Sequence, residues 1–220
     1  MAGHDSFSPG TARDRPARVF LVCGHRMERQ ALREMLAGEA LEVAGATGSA
    51  AEALSTIPVL LPQLALVDTA LRDASWIRVC RRIWDASPAV PCLTLGSLGT
   101  REELRGSILA GARGHAVRMV RGGDLVRRIR AVAAGRDLFS AGEREAVLSE
   151  LRLSQPSPAL TSTERRILLD CARGCSDTEM TRRMGVARPA FEAALQRALA
   201  KLGYPAAPPL DGAWPAVLPA

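Results

Sequence analysis

Leu64-Ala65-Leu66-Val67-Asp68 sets four apolar residues in unbroken succession and closes them with a lone carboxylate. A strand with one wet face alternates apolar and polar residues, whereas a strand covered on both faces does not. This stretch therefore reads as a buried strand of a parallel sheet. Asp68 then stands at its carboxyl end, where such sheets collect their functional groups. Working outward, Val19-Phe20-Leu21-Val22 is a second buried run, and further strands are expected over 41–46, 90–95 and 115–117. Between and after them, 27–36, 49–57, 75–84, 101–110 and 124–133 carry apolar residues at helical spacing. Five strand-then-helix units predict an α/β fold, a doubly wound five-stranded parallel sheet of flavodoxin type.

A different pattern follows. Residues 142–151 predict one more helix, and Leu153-Ser154-Gln155-Pro156-Ser157-Pro158 is the strongest linker signal in the chain. Beyond it, 163–172, 177–184 and 189–202 predict a small all-α unit with Ile167, Leu168, Cys171, Met180, Met184, Val186, Leu195 and Leu199 as its core. Thr161 and Glu164 have the spacing of a capping box, and Gly185 is placed for a tight turn. The expected organisation is a flexible tail (1–17), a first domain (18–140), a helix and linker (141–159), a second domain (160–203) and a proline-rich tail (204–220).

Composition narrows the function classes. At 220 residues with 47% apolar content, the chain has material for two cores. It lacks an apolar run of the roughly 20 residues that span a bilayer, and its polar start is unlike a secretory leader, so a cytoplasmic protein without membrane association is expected. The five cysteines, Cys23, Cys80, Cys92, Cys171 and Cys175, include no CxxC pair and read as small buried thiols. The net charge of +6 suits a polyanionic partner. No nucleophile–base pair, phosphate-binding glycine loop or metal cluster is legible, so neither enzymatic activity nor a cofactor or metal is expected.

Several ordered segments carry a resemblance: Arg18 through His25, Gly111-Ala112-Arg113-Gly114, Ile129 through Gly135, Leu160 through Arg165, and Ala172 through Val186. Over residues 18–203 the chain resembles the NarL/FixJ family of response regulators, which join a receiver domain to a LuxR-type helix-turn-helix. The resemblance implies a bacterial transcription regulator of two-component type with double-stranded DNA as its partner, and pairing with a second copy or another regulator. It makes Asp68 the phosphoacceptor, but the two acidic positions that hold magnesium in working receivers are Cys23 and Gly24 here. Magnesium prefers oxygen ligands, so these replacements disfavour it. The switch hydroxyl falls on Gly96, and the basic residue after the fifth strand is Arg118 in place of lysine. An atypical receiver, independent of ordinary magnesium-dependent phosphorylation, is implied. Two alternatives stay open for its pocket: an anionic small-molecule site around Cys23, Asp68, Gly96 and Arg118, or a structural Asp68–Arg118 ion pair.

In the second domain the resemblance makes 177–184 the supporting helix and the segment from Arg188 onward the DNA-reading helix. Residues 158–205 hold eight basic and five acidic side chains. Arg182, Arg188, Arg197 and Lys201 are the candidate DNA contacts. Ala190-Phe191-Glu192-Ala193-Ala194 stands where the family shows Thr-Val-Lys and a histidine soon after, so a negative charge replaces an expected lysine. That departure raises the alternative of a protein-interaction module with little DNA affinity of its own.

Overall fold

The computed structural model describes residues 16–73, 75–118, 122–153 and 159–204. Its first part alternates β1 (Ala17–Val22), α1 (Arg26–Ala37), β2 (Leu41–Thr47), α2 (Ala50–Leu60), β3 (Leu64–Asp68), α3 (Trp76–Ala86), β4 (Cys92–Gly96), α4 (Arg101–Leu109), β5 (Gly114–Val117) and α5 (Gly122–Ala133). The strands form one parallel sheet in the order β2-β1-β3-β4-β5, as the continuous apolar runs require. Side chains alternate across it. Phe20 and Val22 face the layer of α2, α3 and α4, while Val19 and Leu21 face α1 and α5. The order reverses between β1 and β3, so the crevice above their carboxyl ends is bounded by Cys23 and Asp68.

Four helices follow: α6 (Ala141–Leu153), α7 (Ser162–Ala172), α8 (Asp177–Met184) and α9 (Arg188–Lys201). Thr161 and Glu164 form the reciprocal capping box at the start of α7. Gly185 ends α8 at φ +65°, in the left-handed region that favours glycine. Val186, expected in the small core, lies at the surface just beyond this turn, and Phe191 is buried instead. The core of the helical unit runs on into the α2–α4 side of the sheet without a break. Tyr204, assigned to the tail from sequence, is buried on α4. Its ring meets Trp76 edge-on at 6.4 Å, and its hydroxyl donates to the Glu102 carbonyl. The linker at 154–158 and the tail segments 1–15 and 205–220 lie outside the described residues. No helix among the described residues is long and apolar enough to cross a membrane.

Candidate functional site

Adjacent strands bring Cys23 and Asp68 side by side, and Arg118, just past β5, reaches back across the crevice. The Cys23 thiol donates to Asp68 Oδ2 at 3.3 Å. The Arg118 guanidinium donates through Nη2 to Asp68 Oδ1 at 2.6 Å and through Nη1 to Glu28 Oε1 at 2.5 Å. The Ala70 amide adds a third donor to Asp68 at 2.9 Å. Asp68 is 2% exposed, and both its oxygens are engaged. Glu28 was missed from sequence; its position in the first turn of α1, five residues past Cys23, was the available signal.

Cys23, Glu28 and Asp68 offer three ligand atoms within 4.8 Å of one another. The set does not fit magnesium. Burial, reinforced by Asp68, pushes the Cys23 thiol up to about 12, so at neutral pH it is a protonated donor and not an anionic ligand. The cation between the two carboxylates is already supplied by Arg118. The Arg118 guanidinium is shared by two carboxylates, and a second guanidinium, that of Arg29, donates to the Cys23 carbonyl at 2.6 Å.

The two glycines of this pocket differ. A Cβ on Gly24 would find its nearest neighbour at 3.7 Å, so an acidic side chain there is absent by sequence and not by crowding. A Cβ on Gly96 would lie 2.5 Å from His115 Cε1 and 2.6 Å from Glu103 Cδ. The switch position is therefore filled by its neighbours. Glu103 is anchored by the backbone N–H groups of Ser97, Leu98, Gly99 and Thr100 at 2.7–3.3 Å. Burial pushes this carboxyl up, and those four donors outweigh it and hold it below the usual range. His115 packs its Nδ1 3.0 Å from the Thr94 hydroxyl, with Nε2 3.6 Å from Glu103. Burial pushes its imidazole down despite Glu103, and Arg128 adds to the effect.

The second cluster lies where α8 and α9 meet α3. Arg81 is fully buried, donating to Asp177 Oδ1 at 2.5 Å and to the carbonyls of Leu109 and Cys175 at 2.8 Å each. Arg188, expected on DNA, instead pairs with Asp85 of α3 at 2.6 Å and with Glu192 at 3.0 Å. Glu192 faces Arg82 at 2.8 Å and Arg78 at 3.5 Å. Lys201 is also committed, at 2.7 Å from the buried Glu164 carboxylate and 3.1 Å from the Ala159 carbonyl. Of the four candidate contacts only Arg182 and Arg197 are exposed, the latter 3.7 Å from Glu164. Sequence could not separate these cases, since an arginine on a solvated face and one at an interface occupy the same helical positions.

No family model matches the chain. It is 34% identical over 191 residues to the DNA-binding transcriptional activator DevR/DosR of Mycobacterium tuberculosis, covering 84% of this chain and 88% of that one. It is 30% identical over 187 residues to the transcriptional regulatory protein MctR of Rhizobium johnstonii, covering 84% and 87%. Among solved structures, a LuxR-family two-component response regulator from Aurantimonas aligns with a TM-score of 0.54 at 24% identity, covering 63% of this chain and 99% of that one. The response regulator RcsB of Salmonella typhimurium aligns with a TM-score of 0.51 at 17% identity, covering 87% and 94%. These two likenesses are of fold. The alignment with the mycobacterial activator spans sheet, linker and helical unit together, and by it the chain belongs to the LuxR/NarL family of response regulators.

Proposed function

We propose that this protein is a transcription regulator that acts by binding double-stranded DNA through its C-terminal helices, and that its receiver does not use magnesium-dependent aspartate phosphorylation. One observation carries the second half: Arg118 stands as an internal cation between Glu28 and Asp68, while the Cys23 thiol occupies the other Asp68 oxygen. Phosphoryl transfer needs an oxygen-ligated metal to neutralise developing charge and an open carboxylate to attack. Both places are taken by side chains of the chain itself. Of the four candidate contacts, Arg182 and Arg197 are exposed, and these two are placed on phosphates.

A second reading, an interaction module with weak DNA affinity, is favoured by Glu192 at the expected lysine position. Two measurements decide. Incubation with magnesium and a small acyl-phosphate donor should leave the intact mass unchanged; a stoichiometric phosphoryl adduct lost on Asp68→Asn would overturn the pseudo-receiver. Capture of sheared genomic DNA at low and moderate salt should enrich a short sequence. Folded protein that retains no DNA at either salt would favour the interaction module.

A further inference from the structure

At the amino ends of β4 and β5, on the side of the sheet away from Asp68, Trp84 is set closely against Gly111. A Cβ on that glycine would fall 2.5 Å from the indole ring. Two adjoining cavities share Trp84, Gly111 and Arg113. One, of about 230 Å³, is walled by Asp137, Arg144 and Arg173, so receiver and helical unit both contribute to it. The other, of about 160 Å³, continues beneath Pro88, Val90 and Pro91.

The larger cavity is lined by three guanidiniums and one carboxylate. Asp137 is divided between Arg144, which also stacks on the Phe139 ring at 5.4 Å, and Arg113, which stands off at 3.6 Å. Arg173 leans on Asp170 at 3.1 Å, a carboxylate that also faces Arg183 at 3.9 Å and Arg166 at 4.0 Å. Cations therefore outnumber the carboxylates they share on both sides of the cavity. The nearby helix-end carbonyls of Leu109 and Cys175 are taken by a further arginine, Arg81, at 2.8 Å each, so the three at the cavity are not there to serve them.

We propose that this cavity binds a phosphorylated small molecule, with its phosphate among Arg113, Arg144 and Arg173 and its organic part along the shelf of Trp84, Pro88 and Pro91. A carboxylate has two oxygens and is matched by one guanidinium fork. A phosphate monoester presents three, and can accept from guanidiniums on three separate elements at once. The concave and partly apolar shape suits a small molecule rather than a DNA backbone. Because Arg113 belongs to the receiver and Arg173 to the helical unit, the ligand bridges the two and favours their packed arrangement. The receiver thereby gains an input separate from Asp68.

Isothermal calorimetry on the full-length protein, with inorganic phosphate, pyrophosphate and adenosine monophosphate as probes, reads the site directly. Saturable binding is expected, tightest for the nucleotide, whose body covers the apolar shelf. Arg113→Gln and Arg173→Gln, both at half-exposed side chains, should each weaken binding about tenfold with unchanged circular dichroism. No saturable heat from any of the three probes at millimolar concentration overturns the proposal. So does binding that survives both substitutions. If the parent ignores all three probes and the two variants lose affinity for sheared DNA, the arginines belong to a DNA-facing surface and the ligand site is refuted.

Discussion

Replacing Arg118 with methionine keeps the aliphatic stem and removes the cation from the receiver pocket. Asp68, 2% exposed, would keep only the Ala70 amide and the Cys23 thiol as donors. Removing one member of a buried ion pair typically costs about 3–5 kcal/mol, because the partner charge stays buried and uncompensated. Two features lower that figure here. The Arg118 side chain is 25% exposed, so solvent already screens part of the pair, and Glu28 at 36% can rehydrate. The expected loss is about 2–4 kcal/mol. Urea denaturation followed by circular dichroism should show a lower midpoint with an unchanged slope. Adding Asp68→Asn removes the orphaned charge, keeps a carbonyl oxygen for the Ala70 amide and turns an N–H toward the Cys23 sulfur, so the double variant should recover more than half the loss. A single variant that loses less than about 1 kcal/mol, or a double variant no better than the single, would refute the internal-cation account.

The pocket glycines give a paired test. Gly96→Ser should cost about 1–3 kcal/mol, because its Cβ would press on His115 and Glu103, whereas Gly24→Ala should be close to neutral in thermal unfolding; equal effects would contradict the packing. Lys201→Met should destabilise the helical unit by about 1–3 kcal/mol by leaving the buried Glu164 carboxylate with the Thr161 amide and, as its cation, only the more distant Arg197. A Lys201 variant that melts like the parent but loses DNA affinity would return Lys201 to the DNA face. His115 titrates below its ordinary value of 6.5 in the fold. Just under that pH the unfolded chain takes up the proton first, so stability should fall as pH drops from 6.5. His115→Asn, which keeps a partner for Thr94, should flatten this slope in urea midpoints measured from pH 7 to 5.5; an unchanged slope would place the titration elsewhere.

Much of the molecule was legible in one dimension. Uninterrupted runs such as Leu64–Val67 and Val19–Val22 announced strands buried on both faces. The Thr161–Glu164 spacing announced a helix start, and Gly185 a left-handed turn. The thiol and the bare glycine at positions 23 and 24 were equally plain. These features are local: a strand's period or a cap needs only its near neighbours in the chain to express it.

The tertiary structure decided what the charges do. Arg118 and Glu28 are ninety residues apart in sequence and 2.5 Å apart in the fold, because five strands carry their loops to one edge of the sheet. That closeness makes Arg118 the shared cation of Glu28 and Asp68. Gly96 is glycine because His115 and Glu103 occupy the space of a side chain, a contact no spacing rule encodes. Arg188 and Lys201 carried the signature of DNA contacts, yet one is held by Asp85 and the other by Glu164. A charged residue obeys the same helical period whether it faces water, DNA or another part of its own chain. Periodicity fixes which residues share a face, and only the docking of α8 and α9 on α3 fixes what that face meets.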